Sequence, residues 1–194
     1  MAYKLRELVT SALEKLDPKI VESAKTDSQA FATLYDFYFP KVYAFVMSRV
    51  GSREAAEDIV SDIFLRVLEN IRSYEERGHG FTAWLFTVAR NVIFDFYGSG
   101  RKRELLPLDE GAQIRDEGEL AQPGKLAEQS ELKEKVKTVM DGLPERELCI
   151  LQMKFFAGLQ NREIALAMNL TESNVGIILY RVLRKIKPDL NNLF

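Results

Sequence analysis

Apolar residues recur at helical spacing through most of the chain, and this period limits the possible folds more than any other feature. In residues 53–71 they are three and four positions apart, which is typical of an amphipathic helix with one face against a core. Similar stripes precede and follow this segment, whereas no stretch alternates with the period of two that a half-buried strand requires. The pattern predicts an all-α fold.

The helical period stops between residues 98 and 129. This segment is interrupted by glycines and prolines, and beyond a short basic run at 101–103 it becomes acidic. Such a composition is typical of a tether between domains. We therefore predict two small helical domains joined by a flexible acidic linker. The expected boundaries are an extension helix at 1–19, a first domain at 20–97, the linker at 98–129 and a second domain at 130–194.

Local signals also predict where individual helices begin and end. Thr26 and Gln29 have the spacing of a capping box, and Pro40 is expected to interrupt the helix that follows. Ser52 should cap the next helix, 53–71. The buried stripe of that helix is expected to contain Ala56, Ile59, Val60, Ile63, Phe64, Val67, Leu68 and Ile71.

The opposite face of helix 53–71 carries Glu57, Asp58, Asp62, Leu65 and Glu69. An acidic face with an exposed leucine can be a docking surface for another protein. By itself, such a face is more often simply solvated. The residues alone leave both interpretations open.

The composition excludes several classes of function. The 194 residues carry 27 Lys and Arg against 29 Asp and Glu, a net charge of −2. The chain therefore lacks the basic excess of a general nucleic-acid coat, and any DNA-binding surface must be local. No apolar run is long enough to cross a membrane, and the N-terminus lacks the layout of a signal peptide. We therefore expect no membrane insertion and a cytoplasmic location.

Residues that could carry chemistry are sparse. Cys149 is the only cysteine and lies in an apolar helical run, so we expect a buried structural thiol. The only histidine, His79, lies in a loop and gives no metal site. No phosphate-binding glycine loop, catalytic carboxylate pair or nucleophile–base pair is recognisable. The sequence gives no sign of an enzyme and implies no cofactor.

Residues 162–179 have the pattern of a helix-turn-helix. Small Ala165 would let two helices approach, Asn169 suits a left-handed turn position, and Thr171 is a good N-cap for the second helix. That second helix is poor in cations at its start, because the first one is Arg181. The segment is therefore either a DNA-reading unit or a helical hairpin that only packs.

Residues 81–97 form an aromatic helix with Arg90 and Asn91 on its polar side. Aromatic rings beside arginine suit unstacked, single-stranded bases. Most rings at helical spacing are interior nevertheless. We therefore expect only one or two of these rings to be free for nucleic acid.

Together these segments resemble a bacterial sigma factor of the small extracytoplasmic-function type, in the sigma-70 family. "DSQAFATLYDFYFPKVYAFV" is similar to the start of its N-terminal domain, and "EAAEDIVSDIFLRVLENI" to the helix that binds the clamp of RNA polymerase. "FTAWLFTVARNVIFDF" is similar to the segment that melts the minus-ten promoter element. "LPERELCILQMKFFAGLQNREIALAMNLTESNVGIILYRVLRKI" is similar to the domain that binds the minus-thirty-five element. The resemblance implies core RNA polymerase, promoter DNA and an anti-sigma factor as partners.

The resemblance also implies site residues. For polymerase binding they are Asp58, Asp62, Leu65 and Glu69. For the minus-ten element they are Arg72, Ser73, Tyr74, His79, Trp84, Arg90 and Asn91. For the minus-thirty-five element they are Arg162, Thr171, Glu172, Ser173, Asn174, Arg181, Arg184 and Lys185.

Two features depart from the family pattern. "FYGSG" separates Asp95 from the basic run that begins at Arg101, and Gly176 and Ile178 stand where the family usually carries Lys or Arg. We expect Ile178 to be interior. Two other interpretations therefore stay open. One is a conventional helix-turn-helix regulator that binds duplex operators without polymerase, and the other is a sigma-like interaction adaptor that does not read promoters.

Overall fold

The computed structural model of the protein describes residues 16–50, 52–76, 78, 80–98, 140 and 142–191. Within these ranges the regular elements are helical, and no strand occurs. The helices are α1 (Pro18–Ser23), α2 (Ser28–Val50), α3 (Arg53–Asn70), α4 (Phe81–Gly98), α5 (Glu145–Phe155), α6 (Asn161–Ala167) and α7 (Glu172–Asn191). A 3-10 turn, Ile71–Ser73, follows α3. The predicted all-α fold is confirmed.

The first domain is built from α1 to α4. α1 packs against α2, α2 against α3, and α3 against α4. Large side chains from three of these helices are fully buried in the core: Phe45, Ile59, Ile63, Phe86 and Ile93. Burying each side chain of this size stabilises the fold by about 1.5–3 kcal/mol. This packing fixes the positions of α3 and α4 and therefore of the side chains on their outward faces.

The prediction that Pro40 interrupts its helix is wrong, because α2 runs unbroken across it. A proline inside a helix removes a backbone hydrogen bond and costs about 3 kcal/mol. Pro40 itself is exposed, and Leu34 and Phe45 on either side of it are fully buried. Core packing before and after the proline therefore outweighs the local penalty.

Two further local predictions are also wrong. α2 is capped by Asp27 rather than Thr26, since Asp27 Oδ1 accepts a hydrogen bond from the backbone N–H of Gln29 at 2.9 Å. Leu68, expected in the buried stripe of α3, is 51% exposed. It lies three residues after Leu65 and therefore shares the outward face of the helix with it.

The second domain contains a helix-turn-helix formed by α6 and α7, and α5 packs against both. Asn169 in the turn has a φ of 52°, in the left-handed region. The Oγ1 atom of Thr171 accepts the backbone N–H of Asn174 at 3.2 Å and so caps α7. Ala165 and Ile178 are buried. The predicted helix-turn-helix, with its small residue, turn residue and cap, is confirmed.

The predicted extension before residue 16 and most of the predicted linker, from residue 99, lie outside the described residues. α1 crosses the boundary predicted at residue 19, and α4 ends one residue beyond the boundary predicted at 97. Among the described helices, none combines the length and the apolar content that a membrane crossing requires.

Candidate functional surfaces

The first candidate surface is the outward face of α3. This helix begins after Ser52, whose Oγ accepts the backbone N–H of Ala55 at 3.4 Å, as the sequence predicted. All four predicted polymerase-binding residues are exposed on this face: Asp58, Asp62, Leu65 and Glu69. Leu65 is 55% exposed and Leu68 is 51% exposed. Such a face can dock through apolar contact while its carboxylates favour a basic partner.

The segment between α3 and α4 is held together by Glu76. Its carboxylate accepts hydrogen bonds from the Tyr74 hydroxyl at 2.6 Å and from the Gly80 backbone N–H at 3.0 Å. Burial, together with the Glu76 carboxylate, raises the pKa of Tyr74, so its hydroxyl stays a donor. The buried Tyr74 ring lies 5.3 Å from the rings of Phe81 and Trp84. Tyr74 therefore positions this segment from inside.

Two more predicted minus-ten residues of this segment contact the backbone. The Nε atom of Arg72 donates to the carbonyl of Lys25 at 3.3 Å, and the Ser73 hydroxyl donates to the carbonyl of Asn70 at 2.8 Å. Both side chains remain exposed. His79, the remaining predicted residue of this segment, lies outside the described residues.

α4 carries the other predicted minus-ten residues. Trp84 is half-buried, and Asn91 is exposed. Arg90 donates from Nη1 to the backbone carbonyl of Ala167 at 2.8 Å and from Nη2 to Asn91 Oδ1 at 3.2 Å. Ala167 ends α6, where carbonyl groups without helical partners favour a cation. Arg90 therefore joins the first domain to the second.

The second candidate surface is the outward side of α4, across which the two domains face each other. A cleft of about 510 Å³ lies between them. One wall includes Ser73, Tyr74 and Trp84, and the other includes Ala165, Asn169 and Leu170. Arg162, a predicted minus-thirty-five residue, donates from Nη2 to the carbonyl of Gly78 at 3.2 Å. The structure thus places three predicted minus-ten residues, Ser73, Tyr74 and Trp84, in one wall of a cleft whose other wall is the helix-turn-helix. We call this the closed arrangement.

A buried polar cluster joins α2 to α5. Arg49 is only 4% exposed, donates from Nη1 to Gln152 Oε1 at 3.2 Å and forms an ion pair with Glu145. Gln152 Nε2 donates to the carbonyl of Ser48 at 2.6 Å, and the Tyr97 hydroxyl donates to the carbonyl of Arg49 at 2.7 Å. Sequence analysis missed this cluster. The available signal was a polar residue within each apolar run, in "FVMSRV" and in "LCILQM".

The outward side of α7 is the third candidate surface. The predicted residues of this helix and its cap are all exposed: Thr171, Glu172, Ser173, Asn174, Arg181, Arg184 and Lys185. Ile177 is 57% exposed. A Cβ atom added at Gly176 would come no closer than 3.9 Å to a neighbouring side chain, that of Asn161. The first half of this surface is poor in cations, and the basic residues follow one to two turns later.

Cys149 lies in the interior, as the sequence predicted. Burial raises the pKa of its thiol to about 11. The thiol is therefore protonated at neutral pH. Because only the thiolate is strongly nucleophilic, Cys149 is unreactive there. This environment fits a structural role.

Family comparisons account for both domains. Residues 34–103 match the family described as Sigma-70 region 2, and residues 133–186 match the family described as Sigma-70, region 4. Together the two matches cover more than half of the chain. The first match contains α3 and α4, and the second contains α6 and α7 as far as residue 186.

Individual proteins agree with this result. ECF RNA polymerase sigma factor BldN of Streptomyces coelicolor is 32% identical over 181 residues, 88% of this chain and 66% of BldN. ECF RNA polymerase sigma factor SigX of Bacillus subtilis is 28% identical over 169 residues, 85% of this chain and 86% of SigX. The structure of CnrH in complex with the cytosolic domain of CnrY covers 91% of this chain and 97% of that chain, with a TM-score of 0.66 and 17% identity. This last similarity concerns the fold.

The matches to both sigma-70 regions fall on the two helical domains that carry the three candidate surfaces. The similarity to BldN and SigX extends across both domains and places the chain in one group of that family. The chain belongs to the extracytoplasmic-function sigma factors of the sigma-70 family, which act in promoter recognition and transcription initiation.

Proposed function

We propose that this chain binds core RNA polymerase and directs it to recognise, melt and transcribe the promoters of a specific regulon. It acts in the cytoplasm, where polymerase works, and performs no chemical step of its own. One observation supports this function over the alternatives: a helix-turn-helix occurs together with the exposed acidic and apolar face of α3. A conventional regulator does not need that face, and an adaptor does not need a reading helix.

Polymerase binding is assigned to the outward face of α3. Leu65 and Leu68 supply apolar area there, and burying the exposed half of one leucine on binding stabilises a complex by roughly 1 kcal/mol. Asp58, Asp62 and Glu69 supply charge, which mainly increases the association rate and the selectivity for a basic surface. The face is exposed in the closed arrangement, so polymerase can bind before the domains separate.

Minus-ten recognition is assigned to the side of α4 that lines the cleft. Trp84 offers a ring for stacking unpaired bases, and Asn91 offers an amide for hydrogen bonds. Arg72 and Ser73 belong to the segment that precedes α4, and the resemblance adds His79 to the minus-ten set. Because bases in a melted promoter are already unstacked, a pocket beside Trp84 need not supply the energy of unstacking.

Minus-thirty-five recognition is assigned to α7. At its N-terminus, Glu172 and Ser173 have backbone N–H groups without a partner inside the helix, which can meet phosphate, and the exposed side chains of residues 171–174 can meet base edges. Arg181, Arg184 and Lys185 are exposed further along, where they can contact the phosphate backbone. Arg162 of α6 is also assigned to this surface. It becomes available to DNA when its hydrogen bond to the carbonyl of Gly78 breaks.

The closed arrangement is proposed as an inactive state. Arg90 and Arg162, both assigned to promoter DNA, donate instead to backbone carbonyls of the opposite domain. A protein that holds the two domains together would therefore keep the chain inactive, which is the role we propose for an anti-sigma factor. CnrH, which is similar in fold, is described in complex with the cytosolic domain of CnrY. Recovery of polymerase alone with the tagged chain, from both resting and stressed cells, would argue against this role.

The function is tested by transcription in vitro from a random promoter library. We expect core polymerase to yield transcripts from a defined subset of sequences only when this chain is added. The matched control is the chain with Asp62→Arg and Leu65→Ala, which keeps the helix-turn-helix intact. Duplex binding without any polymerase-dependent transcript would favour the conventional regulator. Core binding with no promoter selected would favour the adaptor.

A further inference from the structure

Ile177 is a large apolar residue on the side of α7 that is assigned to DNA. It is 57% exposed, whereas Val175, Ile178 and Leu179 around it in sequence are buried. The helix therefore has a distinct interior side, and Ile177 is not on it. Scattered exposed isoleucines are ordinary on protein surfaces. At this position, however, Ser173, Asn174, Arg181 and Arg184 are exposed polar or cationic neighbours, and Tyr180 is also 65% exposed. Ile177 is the exposed aliphatic residue among them.

Helical geometry places Ile177 at the centre of that surface. Ser173 lies four residues before it and Arg181 four residues after it, so the three side chains follow one another along one face. Asn174 and Arg184 flank the same face, and all four polar residues are exposed. A duplex held at once by the polar residues before Ile177 and the cations after it must lie against the Ile177 side chain.

The residue before Ile177 eases a close approach. Gly176 has no side chain, and the nearest side-chain atom to a Cβ added there would be Asn161 Nδ2, at 3.9 Å. Gly176 therefore adds no side chain beside Ile177 that could keep a duplex away from it. Ile177 is exposed even in the closed arrangement. Its contact with DNA therefore does not require the domains to separate first.

On the basis of the promoter-reading role above, we propose that Ile177 reads a thymine of the minus-thirty-five element by contact with its C5 methyl group. In the major groove that methyl group distinguishes thymine from the other bases, and apolar side chains recognise it. This contact gives a cation-poor helix a source of base selectivity that does not depend on charge. One buried methyl group changes affinity by roughly four-fold.

The test uses the full chain with core polymerase and duplexes enriched from a random promoter library. Each thymine of the minus-thirty-five element is replaced in turn by deoxyuridine, which removes only the C5 methyl group. We expect binding of the wild-type holoenzyme to fall about three- to five-fold at one or two positions. Ile177→Ala should bind more weakly and show no further loss at those positions. Leu183→Ala, a similar truncation at a 43% exposed residue six positions further on, should keep the wild-type response.

Three results would overturn this role. The first is that deoxyuridine leaves wild-type binding unchanged at every position. The second is that Ile177→Ala loses as much affinity on deoxyuridine replacement as the wild type does. Ile177→Ala could also weaken core binding without changing base selectivity, which would assign the side chain to polymerase. Failure to enrich any duplex would have a different meaning, because it would overturn the proposed function itself and the role of Ile177 with it.

Discussion

The outward faces of α3 and α4 belong to one domain but have different surroundings. On α3 the predicted polymerase residues, including Asp62 and Leu65, are exposed to solvent. On α4 the predicted DNA residue Trp84 lines a cleft against the helix-turn-helix, and Arg90 donates to the carbonyl of Ala167 in the second domain. The same core supports both faces, so the difference comes from the second domain.

This difference indicates an order of events. A surface that is already exposed can meet polymerase at once, whereas a surface that faces another domain must first be released. The contacts between the domains include the polar cluster around Arg49 and the hydrogen bonds of Arg90 and Arg162. Such polar contacts can be exchanged for contacts with water, phosphate or protein. We therefore expect opening to be accessible once polymerase or promoter DNA competes for either domain.

The largest expected effect concerns the exposed face of α3. Asp62→Arg combined with Leu65→Ala should weaken binding of core polymerase at least about ten-fold, because truncation of one interface hot spot typically costs about 1–4 kcal/mol. The measurement is a titration of fluorescently labelled chain with core polymerase. Asp36→Arg, with the same charge change at an exposed position of α2, is the control. Unchanged affinity in the double variant, with normal helicity, would remove α3 as the polymerase site.

The next effect concerns the contact between the domains. Arg49→Ala removes a buried donor from Gln152 and the partner of Glu145, and an unsatisfied buried polar group costs about 1–3 kcal/mol. We expect a larger radius of gyration by small-angle X-ray scattering, because the domains separate more often. Arg53→Ala is the matched control, since its ion pair with Glu57 is on the surface and lies within α3. An unchanged radius in Arg49→Ala would mean that the cluster does not hold the domains together.

A smaller effect concerns charge on the reading helix. Gly176→Lys adds a cation where a Cβ atom would make only ordinary contact with Asn161, so the slope of log K against log salt for duplex binding should steepen by roughly one unit. The substitution also removes a mid-helix glycine, which stabilises α7 by about 0.5–1 kcal/mol. Asn174→Ala is the contrasting variant. It should reduce base discrimination and leave the slope unchanged. Equal slopes for Gly176→Lys and the wild type would place this position away from phosphate.

The smallest effect is a pH dependence. Burial raises the pKa of the Cys149 thiol from its ordinary 9.0 to about 11. Below pH 9 the thiol is protonated in both the folded and the unfolded chain, so its contribution to stability is fully present. Between about pH 9 and 11 the unfolded chain loses the proton first, so stability falls as pH rises. Chemical denaturation at pH 8 and pH 10 measures how much the free energy of unfolding falls between the two values. The fall should be slightly smaller for Cys149→Ala than for the wild type. Identical losses would mean that this thiol does not titrate differently on folding.

Features with a local cause could be predicted from the sequence. The left-handed conformation of Asn169 and the capping by Thr171 depend on chemistry within a few residues. The prediction of the helix-turn-helix was therefore correct in detail. Pro40 and Leu68 were predicted wrongly. At Pro40 the packing of the whole domain outweighs a local preference, and Leu68 lies at the edge of a stripe whose width is set by the neighbouring helices.

The relation between the two domains could not be predicted at all. Arg90 and Ala167 are 77 positions apart, and Arg49 and Gln152 are 103 positions apart, so neither pair leaves a periodic signal. Arg90 and Arg162 were assigned to DNA from resemblance alone. The structure adds that both also have carbonyl partners across the domain boundary. Whether they contact promoter DNA in the open form stays a prediction.

Trp84 gives the most direct test of the closed arrangement, because it is the only tryptophan of the chain and lines the cleft between the domains. The measurement is acrylamide quenching of its fluorescence in the free, full-length protein and in a variant with Arg49→Ala and Arg162→Ala. If the second domain covers this side of α4, quenching will be weak in the wild type and will rise in the variant, with unchanged helicity. Equal and strong quenching in both proteins would show that Trp84 is already open to solvent and would contradict the closed state.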